Sequence, residues 1–532
     1  MIGGLLLAGF LGSSFESPTT SEQVQQDQQV QQENNSTADR PPIRNIVMMI
    51  SDGMGPASVA FTRTYYQYTQ GEPFDYQMPL DTIHVGQSRT RSSSTLVTDS
   101  AAGATAFSCG LKTYNGAIGV DPSGNPCATV LEAAKQQHGM KTGLVVTSRI
   151  THATPASFSA HVQDRDDENH IAVQQIGDNP LGRNVDLMMG GGYCHFLPKS
   201  NPQSCRGDER ELFKEAKQND WNTVEYNNRS VFDNLSSIDP GVLPVLLLFN
   251  EDHMDYSIDR DPTREPSLTE MSAKALDILL HSTKSTENGF FLMIEGSRID
   301  MAAHSNDPAT HVHDILEYQK TIAYVKRFVD QNPGTIMIST SDHETGGLSL
   351  ARQVSPIYPE YLWYPDVLTK VRKSTVSVAH YIKDNRLFGK VDKIVPLVNK
   401  YLGIEDVTKE EEQGLAKIKK TNLMDFYLAE MVSLRAQLGW ATLGHSGVDV
   451  NLYAYGQGTD SLRGSHENID IGHFMAQALH LNLTDLTRKL NKNNTSVNYT
   501  PLSKKEKLKY NDHLSHYERD APKFNHAKYS RW

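Results

Sequence analysis

Residues 96–110 read LVTDSAAGATAFSCG and hold the serine around which the rest of the chain is organised. Ser100 is followed by six residues with small side chains, 101–106, and this run predicts a helix that begins at the serine. Small side chains let a second backbone approach such a helix closely. The free N–H groups at a helix N-terminus also attract anions. Ser100 is therefore either a nucleophile beside a bound anion or an ordinary capping serine.

As a nucleophile, Ser100 would need a partner that takes up its proton. No histidine adjoins it, and the chain contains no G-x-S-x-G segment, so the residues do not indicate a hydrolase triad. The remaining means of activating the hydroxyl is a metal ion. The sequence therefore favours a metal-dependent reaction.

The composition is that of an acidic globular protein. The 532 residues carry a net charge of −12, and such a surface lacks the basic face that binds nucleic acids. None of the four cysteines belongs to a C-x-x-C pair, so a zinc knuckle is not indicated. Their spacing fits two short-range disulfides, Cys109–Cys127 and Cys194–Cys205, with four free thiols as the alternative.

Both ends of the chain differ in composition from the middle. Residues 1–15 are apolar but too few to span a bilayer, and we interpret them as a trimmed signal or signal-anchor segment, with ordinary N-terminal disorder as the alternative. Residues 16–42 are polar and cannot bury a core, which predicts a disordered linker. Residues 487–532 form a polar, Lys-rich tail without the hydrophobic end that a GPI anchor needs.

Several glycosylation sequons indicate a secretory route. They begin at Asn34, Asn35, Asn228, Asn234, Asn482, Asn493, Asn494 and Asn498. Single sequons arise by chance, but their number here favours a glycoprotein.

Apolar runs of strand length alternate with helix-like segments between residues 43 and 354. This alternation predicts a three-layer α/β/α sandwich, in which helices cover both faces of a large, mainly parallel sheet. Four runs end next to residues of metal-ligand type: 43–50 before Asp52, 142–147 before His152 and Thr154, 290–294 before Glu295, and 335–340 before Asp342 and His343. Ligands of such sheets bind beyond the carboxyl ends of the strands. We expect these side chains to meet there.

A fifth run, residues 245–249, ends in the same way before Asn250-Glu251-Asp252-His253, and the residues give no reason to treat it differently. The pattern then loosens, and we interpret residues 355–437 as an insertion at a dimer or substrate-access surface. Residues 438–486 return to core-like sequence and contain His445. The catalytic core is thus expected in two parts, 43–354 and 438–486.

The candidate metal ligands fall into two chemical groups. Carboxylates and imidazoles suited to zinc are offered by Asp52, Asp300, His304, Asp342, His343 and His445. Asp300 and His304 are spaced i, i+4, which places both on one face of a helical turn. Asp52, Thr154 and Glu295 offer only oxygens, which suits Mg²⁺. One histidine among twenty says little, but the joint placement of these residues favours a metal centre.

Six segments resemble the site motifs of the alkaline phosphatase family and stand in the same order. They are SDGMG (51–55), VTDSAAGATAFSCG (97–110), THATPASFSAH (151–161), EGSRID (295–300), TSDHETGG (340–347) and GHSGVDV (444–450). The resemblance covers about residues 43–486 and is strongest to the fungal vacuolar members. It implies a phosphomonoester hydrolase with a phosphoserine intermediate, a homodimer and a crown-like insertion. It also implies a vacuolar lumen location with an N-terminal membrane anchor, with an extracellular location as the alternative.

The resemblance further implies roles for single residues. A first zinc ion is held by Asp300, His304 and His445. A second is held by Asp52, Asp342 and His343, with Ser100 between the two ions. Asp52 also bridges to one magnesium ion, which Thr154 and Glu295 complete. Arg165 clamps the phosphate and Asp99 orients Arg165, so that small phosphomonoesters, and also phosphoproteins or phosphopeptides, are the expected substrates.

Two positions depart from the family pattern. His152 stands where bacterial and some fungal members have aspartate, whereas animal members resemble this chain at that position. The histidine predicts a third metal site that binds Mg²⁺ more weakly or is partly filled by zinc. Met301 stands where relatives often carry His or Lys, and the loss of a positive contact predicts easier release of inorganic phosphate.

Three alternatives to a monoester hydrolase stay open at this point. Sulfatases and phosphodiesterases of the same metalloenzyme superfamily are the main ones, and a catalytically inactive binding protein is a weaker one. The chain lacks the C/S-x-P-x-R segment of a sulfatase, and it retains every predicted metal ligand.

Overall fold

A ten-stranded sheet organises residues 42–239 and 241–493, which are the part of the chain that the computed structural model describes. The predicted segment 1–15 and linker 16–42, apart from Pro42, lie outside this part, as do residues 494–532. The sequons at Asn34, Asn35, Asn494 and Asn498 therefore also fall outside it. Within the described part, no helix combines the length and the apolar character needed to cross a bilayer.

Five of the ten strands of the central sheet correspond to the predicted apolar runs, and the other five have no predicted counterpart. The ten strands are β1 (Asn45–Ile50), β2 (His84–Arg89), β3 (Lys141–Arg149), β4 (Leu187–Gly191), β5 (Thr223–Tyr226), β6 (Val245–Leu248), β7 (Phe290–Glu295), β8 (Thr335–Thr340), β11 (Val450–Tyr455) and β12 (Gly464–Glu467). Two short strands, β9 (Glu344–Thr345) and β10 (His445–Ser446), pair antiparallel outside this sheet.

The α-helices lie between and after these strands. They are Pro56–Gln70, Ser100–Cys109, Val130–His138, Ala153–Ser159, Glu168–Gln175, Leu212–Gln218, Arg229–Asn234, Leu268–Thr283, Arg298–His304, Pro308–Gln331, Pro365–Leu368, Thr375–Asp384, Val391–Leu402, Lys409–Lys417, Thr421–Ala436, Asn468–Ala478 and Leu483–Asn493. Short 3₁₀ helices occur at Pro79–Ile83, Tyr193–Phe196 and Thr459–Leu462.

The strand order is β12-β2-β11-β8-β1-β7-β3-β4-β6-β5. Neighbouring strands are parallel except where β11 pairs with β2 and with β8, because β11 runs in the opposite direction. The four strands that precede predicted metal ligands, β8, β1, β7 and β3, are consecutive in this order. The predicted mainly parallel α/β architecture is confirmed.

Both faces of the sheet are covered by helices. Side chains alternate between the faces along a strand, and on β1 Ile46 and Met48 belong to one hydrophobic core while Val47 and Met49 belong to the other. All six residues of β1 are buried. A strand buried on both faces reads as a continuous apolar run rather than an alternating one, which is why residues 43–50 were recognisable in the sequence.

Residues of the predicted insertion, 355–437, form helices around a hydrophobic core of their own. This core includes Ile394, Val398 and Leu428 and also takes in Phe61 from helix Pro56–Gln70. The division of the chain into core and insertion stays a prediction.

The C-terminal boundary of the packed region lies beyond residue 486. Helix Leu483–Asn493 carries Leu486 and Leu490, spaced i, i+4, and both are buried. The N–H of Ala128 donates a hydrogen bond to Thr487 Oγ1 at 2.9 Å. The polar composition of the predicted tail conceals this amphipathic helix, because two buried leucines are enough to pack one face.

Two disulfides, Cys109–Cys127 and Cys194–Cys205, are present in the predicted pairing. The first ties the end of helix Ser100–Cys109 to the loop that precedes helix Val130–His138. It therefore anchors the far end of the helix that begins at Ser100.

Candidate metal centre and catalytic serine

Ser100 is the first residue of helix Ser100–Cys109 and is buried. Asp99 caps this helix, because its carboxylate accepts hydrogen bonds from the N–H groups of Ala102 (3.0 Å) and Gly116 (2.9 Å). The Ser100 hydroxyl is thereby not needed as a cap, and its Oγ lies 3.1 Å from His343 Nε2. The structure gives the capping role to Asp99 and leaves the serine hydroxyl facing a predicted metal ligand.

Glycines bring the surrounding backbones close to Ser100. A Cβ atom on Gly103 would lie 3.0 Å from Asp342 Cβ, so the helix of small residues packs directly against the end of β8. A Cβ atom on Gly53 would lie 2.7 Å from Asp300 Cα, and Gly53 has a φ of +75°. Gly53 therefore has no room for any Cβ atom, and at Gly103 even an alanine would require Asp342 to shift slightly.

The strand order explains why the predicted ligands meet. Asp52, Glu295 and Asp342 stand at the carboxyl ends of the neighbouring strands β1, β7 and β8, and His152 follows β3, the next strand. His445 precedes β11 instead of following it. Because β11 runs opposite to β8, its amino end lies at the same edge of the sheet.

Asp300, His304 and His445 form one compact group, which we call the first cluster. Asp300 Oδ2 lies 3.2 Å from His304 Nε2, and Asp300 Oδ1 lies 3.7 Å from His445 Nε2. The two histidine Nε2 atoms are 3.3 Å apart. One carboxylate and two imidazoles at these separations can bind a single zinc-like ion.

Asp52, Asp342 and His343 form the second cluster, beside Ser100. His343 Nε2 lies 3.2 Å from Asp342 Oδ2 and 3.5 Å from Asp52 Oδ1. The rings of His343 and His445 stack with their centroids 3.4 Å apart, so the first and second clusters adjoin. Asp300 also offers an oxygen within 4.8 Å of ligand atoms of Asp52 and His343, which places its carboxylate between the two clusters.

Asp52, His152 and Glu295 have ligand atoms within 4.8 Å of one another, and with Thr154 they form the third cluster. All four side chains are buried. Both carboxylate oxygens of Asp52, Thr154 Oγ1 and Glu295 Oε1 lack a hydrogen-bond partner among residues 42–239 and 241–493. Burying such oxygens without a partner costs free energy. A bound cation would supply the missing partner, so these residues fit a metal ion.

Hydrogen bonds from outside the clusters orient the histidines. His304 Nδ1 donates to the carbonyl of Leu443 (2.5 Å), and His445 Nδ1 donates to the carbonyl of Thr98 (2.8 Å). A carbonyl oxygen can only accept, so Nδ1 carries the proton in both rings and Nε2 is left as the metal ligand.

Thr345 orients the ring of His343 in a similar way, although the sequence predicts no role for this threonine. Its hydroxyl donates to Asp300 Oδ1 at 2.5 Å and lies 3.2 Å from His343 Nδ1, from which it can accept. Thr345 therefore links the carboxylate of the first cluster to the histidine of the second. The only indication of this role in the sequence is that Thr345 stands two residues after the predicted ligand His343.

The clusters differ in their electrostatics. Burial alone would raise the pKa of Asp300, but His304 and His445 outweigh it and hold that pKa well below its ordinary value. Burial, together with the carboxylates of Asp342 and Asp300, raises the pKa of Asp52 well above its ordinary value. Burial likewise raises the pKa of Glu295 to about 7. Without a cation, ionisation of both carboxyls on the oxygen-rich side of the site is therefore unfavourable.

Arg165 lies between Ser100 and the third cluster. Its guanidinium donates to Asp99 Oδ2 and to His152 Nε2, each at 3.1 Å. The planar fork of an arginine can bind two oxygens of a tetrahedral anion at once. Asp99 therefore performs two tasks, because it caps the helix of Ser100 and holds this guanidinium.

The sequence matches the family described as Alkaline phosphatase over residues 43–481. The chain belongs to the alkaline phosphatase family. The alkaline phosphatase of Schizosaccharomyces pombe is 49% identical over 448 residues, which cover 84% of this chain and 83% of that protein. The repressible alkaline phosphatase of Saccharomyces cerevisiae is 45% identical and covers 84% of this chain and 82% of its own length. A solved structure, the cold-active alkaline phosphatase from the psychrophile Shewanella sp., superposes with a TM-score of 0.69 at 31% identity, covering 82% of this chain and 99% of that one.

This alkaline phosphatase is a metal-dependent phosphomonoester hydrolase. The family membership favours that activity over the sulfatase, phosphodiesterase and inactive-protein alternatives. The structure brings every predicted site residue of the alkaline phosphatase into the three clusters or beside them, and none of those residues lies elsewhere.

The fifth apolar run, residues 245–249, does not adjoin the four consecutive strands that precede the predicted metal ligands. Its strand, β6, lies two strands beyond β3, yet the loop after it returns to the third cluster. The ring of His253 packs edge-on against that of His152, with centroids 5.3 Å apart. Arg149 holds this loop, since its N–H donates to His253 Nδ1 (3.1 Å) and its guanidinium to Asp252 Oδ1 (2.6 Å). The run therefore supports the site from outside.

Proposed function

We propose that this enzyme hydrolyses phosphomonoesters through a phosphoserine formed on Ser100, with two zinc ions and one magnesium ion as cofactors. The first cluster would hold one zinc ion and the second cluster the other. Asp52 would be shared with the magnesium ion of the third cluster. The observation that carries this proposal is the placement of the Ser100 hydroxyl, 3.1 Å from His343 Nε2, at a helix N-terminus beside buried carboxylates without hydrogen-bond partners.

The residues of the chain divide the reaction between them. Ser100 Oγ gives up its proton to solvent and attacks phosphorus, the bond between phosphorus and the leaving oxygen breaks in line, and the leaving oxygen takes a proton from water. Arg165, held by Asp99, binds two of the phosphoryl oxygens, and the helix N-terminus stabilises their charge. Bound zinc would lower the pKa of the serine hydroxyl and stabilise the leaving oxygen, which a serine alone cannot do. Water then attacks the phosphoserine and releases inorganic phosphate.

The phosphoserine is tested by acid-quenching the enzyme during turnover and measuring the mass of the peptide that contains residue 100. We expect that peptide to gain one phosphoryl group, and the Ser100→Ala variant to show neither the gain nor turnover. Ser108→Ala, in the same helix, is the matched control. A fully active Ser100→Ala variant would refute the mechanism.

The metals and the substrate class are tested together. Metal analysis of the purified protein should find one zinc ion each for the first and second clusters, and a third metal ion per chain that is magnesium partly replaced by zinc. The rate on p-nitrophenyl phosphate should greatly exceed that on its bis ester, because a diester has one non-bridging oxygen and one negative charge fewer for the cationic site to bind. A preference for the diester would point instead to a phosphodiesterase.

We further propose a homodimeric glycoprotein of the secretory pathway that resides in the vacuolar lumen, held there by an N-terminal anchor. Exposed asparagines in the sequons at Asn234 and Asn482, and the two disulfides, support this route. Its substrates would be small phosphomonoesters, with phosphoproteins or phosphopeptides as larger ones. Endoglycosidase treatment should lower the apparent mass, and sedimentation should give twice the chain mass. Secretion into the medium would favour the extracellular alternative.

A further inference from the structure

The predicted insertion contacts the part of the chain that carries His304. Helix Arg298–His304 ends at that histidine, and the backbone turns sharply at Asn306, whose φ is +53°. Asparagine tolerates this left-handed conformation better than most residues. We call residues 304–307 the His304 segment, since they connect the first cluster to the next helix, Pro308–Gln331.

Asp425, in helix Thr421–Ala436 of the insertion, bonds directly to this segment. Its Oδ2 accepts a hydrogen bond from Ser305 Oγ at 2.7 Å, and its Oδ1 accepts one from Thr375 Oγ1 at 2.6 Å. The N–H of Thr375 in turn donates to Asp307 Oδ2 at 2.9 Å. Two insertion helices are therefore hydrogen-bonded to Ser305 and Asp307, which follow His304 by one and three positions.

A second set of hydrogen bonds closes the same segment onto the backbone that orients His304. Ser433, from the helix of Asp425, donates to the carbonyl of Asn306 at 3.3 Å. Asn306 Nδ2 donates to the carbonyl of Thr442 at 3.3 Å. The next residue, Leu443, supplies the carbonyl that accepts from His304 Nδ1. The insertion thus bonds directly to the histidine's own segment, and Asn306 of that segment bonds to the backbone next to the carbonyl that orients the ring.

We propose that Asp425 is a positioning residue for the first cluster, which holds His304 in place through Ser305 so that Nε2 can bind the metal ion. The inference rests on the proposed function, which assigns zinc to that cluster. Groups that orient a metal ligand typically contribute about 10–100-fold to metal affinity. Asp425 acts through one intervening residue, so we expect the lower end of that range.

The test compares Asp425→Ala with Asp392→Ala, a matched change on insertion helix Val391–Leu402. Asp392 is 74% exposed and contacts the neighbouring Lys393. Zinc retained per chain is measured by metal analysis after dialysis against increasing chelator, and no activity measurement is needed. We expect one zinc equivalent to leave Asp425→Ala at about tenfold lower chelator concentration. The other zinc, and both zinc ions of Asp392→Ala, should behave as in the unchanged protein.

Ser305→Ala provides a second variant that leaves the insertion's own contacts in place. It removes one hydrogen bond, so we expect a shift of about threefold in the same assay, and it decides the matter if Asp425→Ala fails to fold. Zinc retention equal to that of the unchanged protein in both variants would overturn the proposal, even if the thermal midpoint fell. An unchanged protein that binds no zinc would instead refute the proposed function.

Discussion

The first and third clusters lie on one edge of the same sheet, but the pKa values of their carboxyl groups are shifted in opposite directions. The first cluster contains two imidazoles and one carboxylate, and its histidines are partly exposed. Those histidines hold the pKa of Asp300 well below its ordinary value, against the effect of burial. The third cluster is fully buried, and burial raises the pKa of Glu295 to about 7. The first cluster pairs its carboxylate with two imidazoles, whereas the third is rich in buried oxygens, so we expect the stability of the third cluster to depend more strongly on a bound cation.

The largest expected effect comes from the first cluster. Replacing His445 by alanine removes one of its two imidazoles and should lower kcat/KM by about 10³-fold, because a charged transition state loses much of its stabilisation. Metal analysis should show about one zinc ion fewer per chain. His138→Ala, at the exposed end of helix Val130–His138, serves as the control. A loss of less than tenfold would mean that the first cluster is not central to the chemistry.

The pH dependence of stability should separate the two clusters next. In the metal-free protein Glu295 keeps a proton up to about pH 7, whereas the unfolded chain releases it near pH 4.5. The folded state then binds more protons, so the free energy of unfolding should fall as pH rises from 4.5 to 7, by an amount of the order of 3 kcal/mol.

Urea unfolding at pH 5 and pH 7.5, with and without added metal, measures this dependence. Metal should remove most of the loss, since a metal-bound carboxylate stays ionised. Glu295→Gln should flatten the pH slope of the metal-free protein. Equal slopes with and without metal would show that the third cluster needs no cation.

His152 is expected to tune the metal choice of the third cluster. His152→Asp replaces a nitrogen by oxygens, which Mg²⁺ prefers, and should tighten Mg²⁺ binding about tenfold. Equilibrium dialysis of the zinc-loaded protein against Mg²⁺ measures the change. Full, tight Mg²⁺ occupancy in the unchanged protein would contradict the idea that His152 weakens this site.

The smallest expected effect concerns Met301, beside the first cluster. Its side chain packs against Tyr256 and Ala302, and the Arg298 guanidinium donates to its sulfur at 2.8 Å. Met301→His should add a positive contact and lower the inhibition constant of inorganic phosphate about threefold. Met301→Leu controls for the loss of the thioether. An unchanged inhibition constant would refute the predicted link to product release.

Sequence patterns predicted the strands best where both faces are buried. The runs 335–340 and 290–294 correspond to β8 and β7 almost residue for residue, because a continuous apolar run flanked by polar residues has few other interpretations. The predicted boundary between core and tail, at residue 486, instead divides the helix Leu483–Asn493. Its polar face dominates the composition, and only the depth at which Leu490 packs, with no exposed surface, reveals its role.

The candidate site was predictable as a set of residues but not as three clusters. The residues after β6 carry the same signal as those after β1, yet His253 meets the site only from outside, beside His152. Nothing in the residues told the two runs apart, because their difference is strand order, and that order depends on pairing between segments far apart in the chain. Thr345 and Asp425 were missed for a related reason, since each matters only through its hydrogen bonds.

From the amino-acid sequence alone one can read the residue types that can carry the reaction and their attachment to strand ends and to a helix N-terminus. These are local properties, written in apolar runs, i, i+4 spacing and small side chains. It is the folded arrangement that makes β8, β1, β7 and β3 neighbours and reverses β11, so that His445 reaches the same edge. Metal ligands must converge within a few ångströms, and that convergence comes from long-range packing, which no local pattern contains.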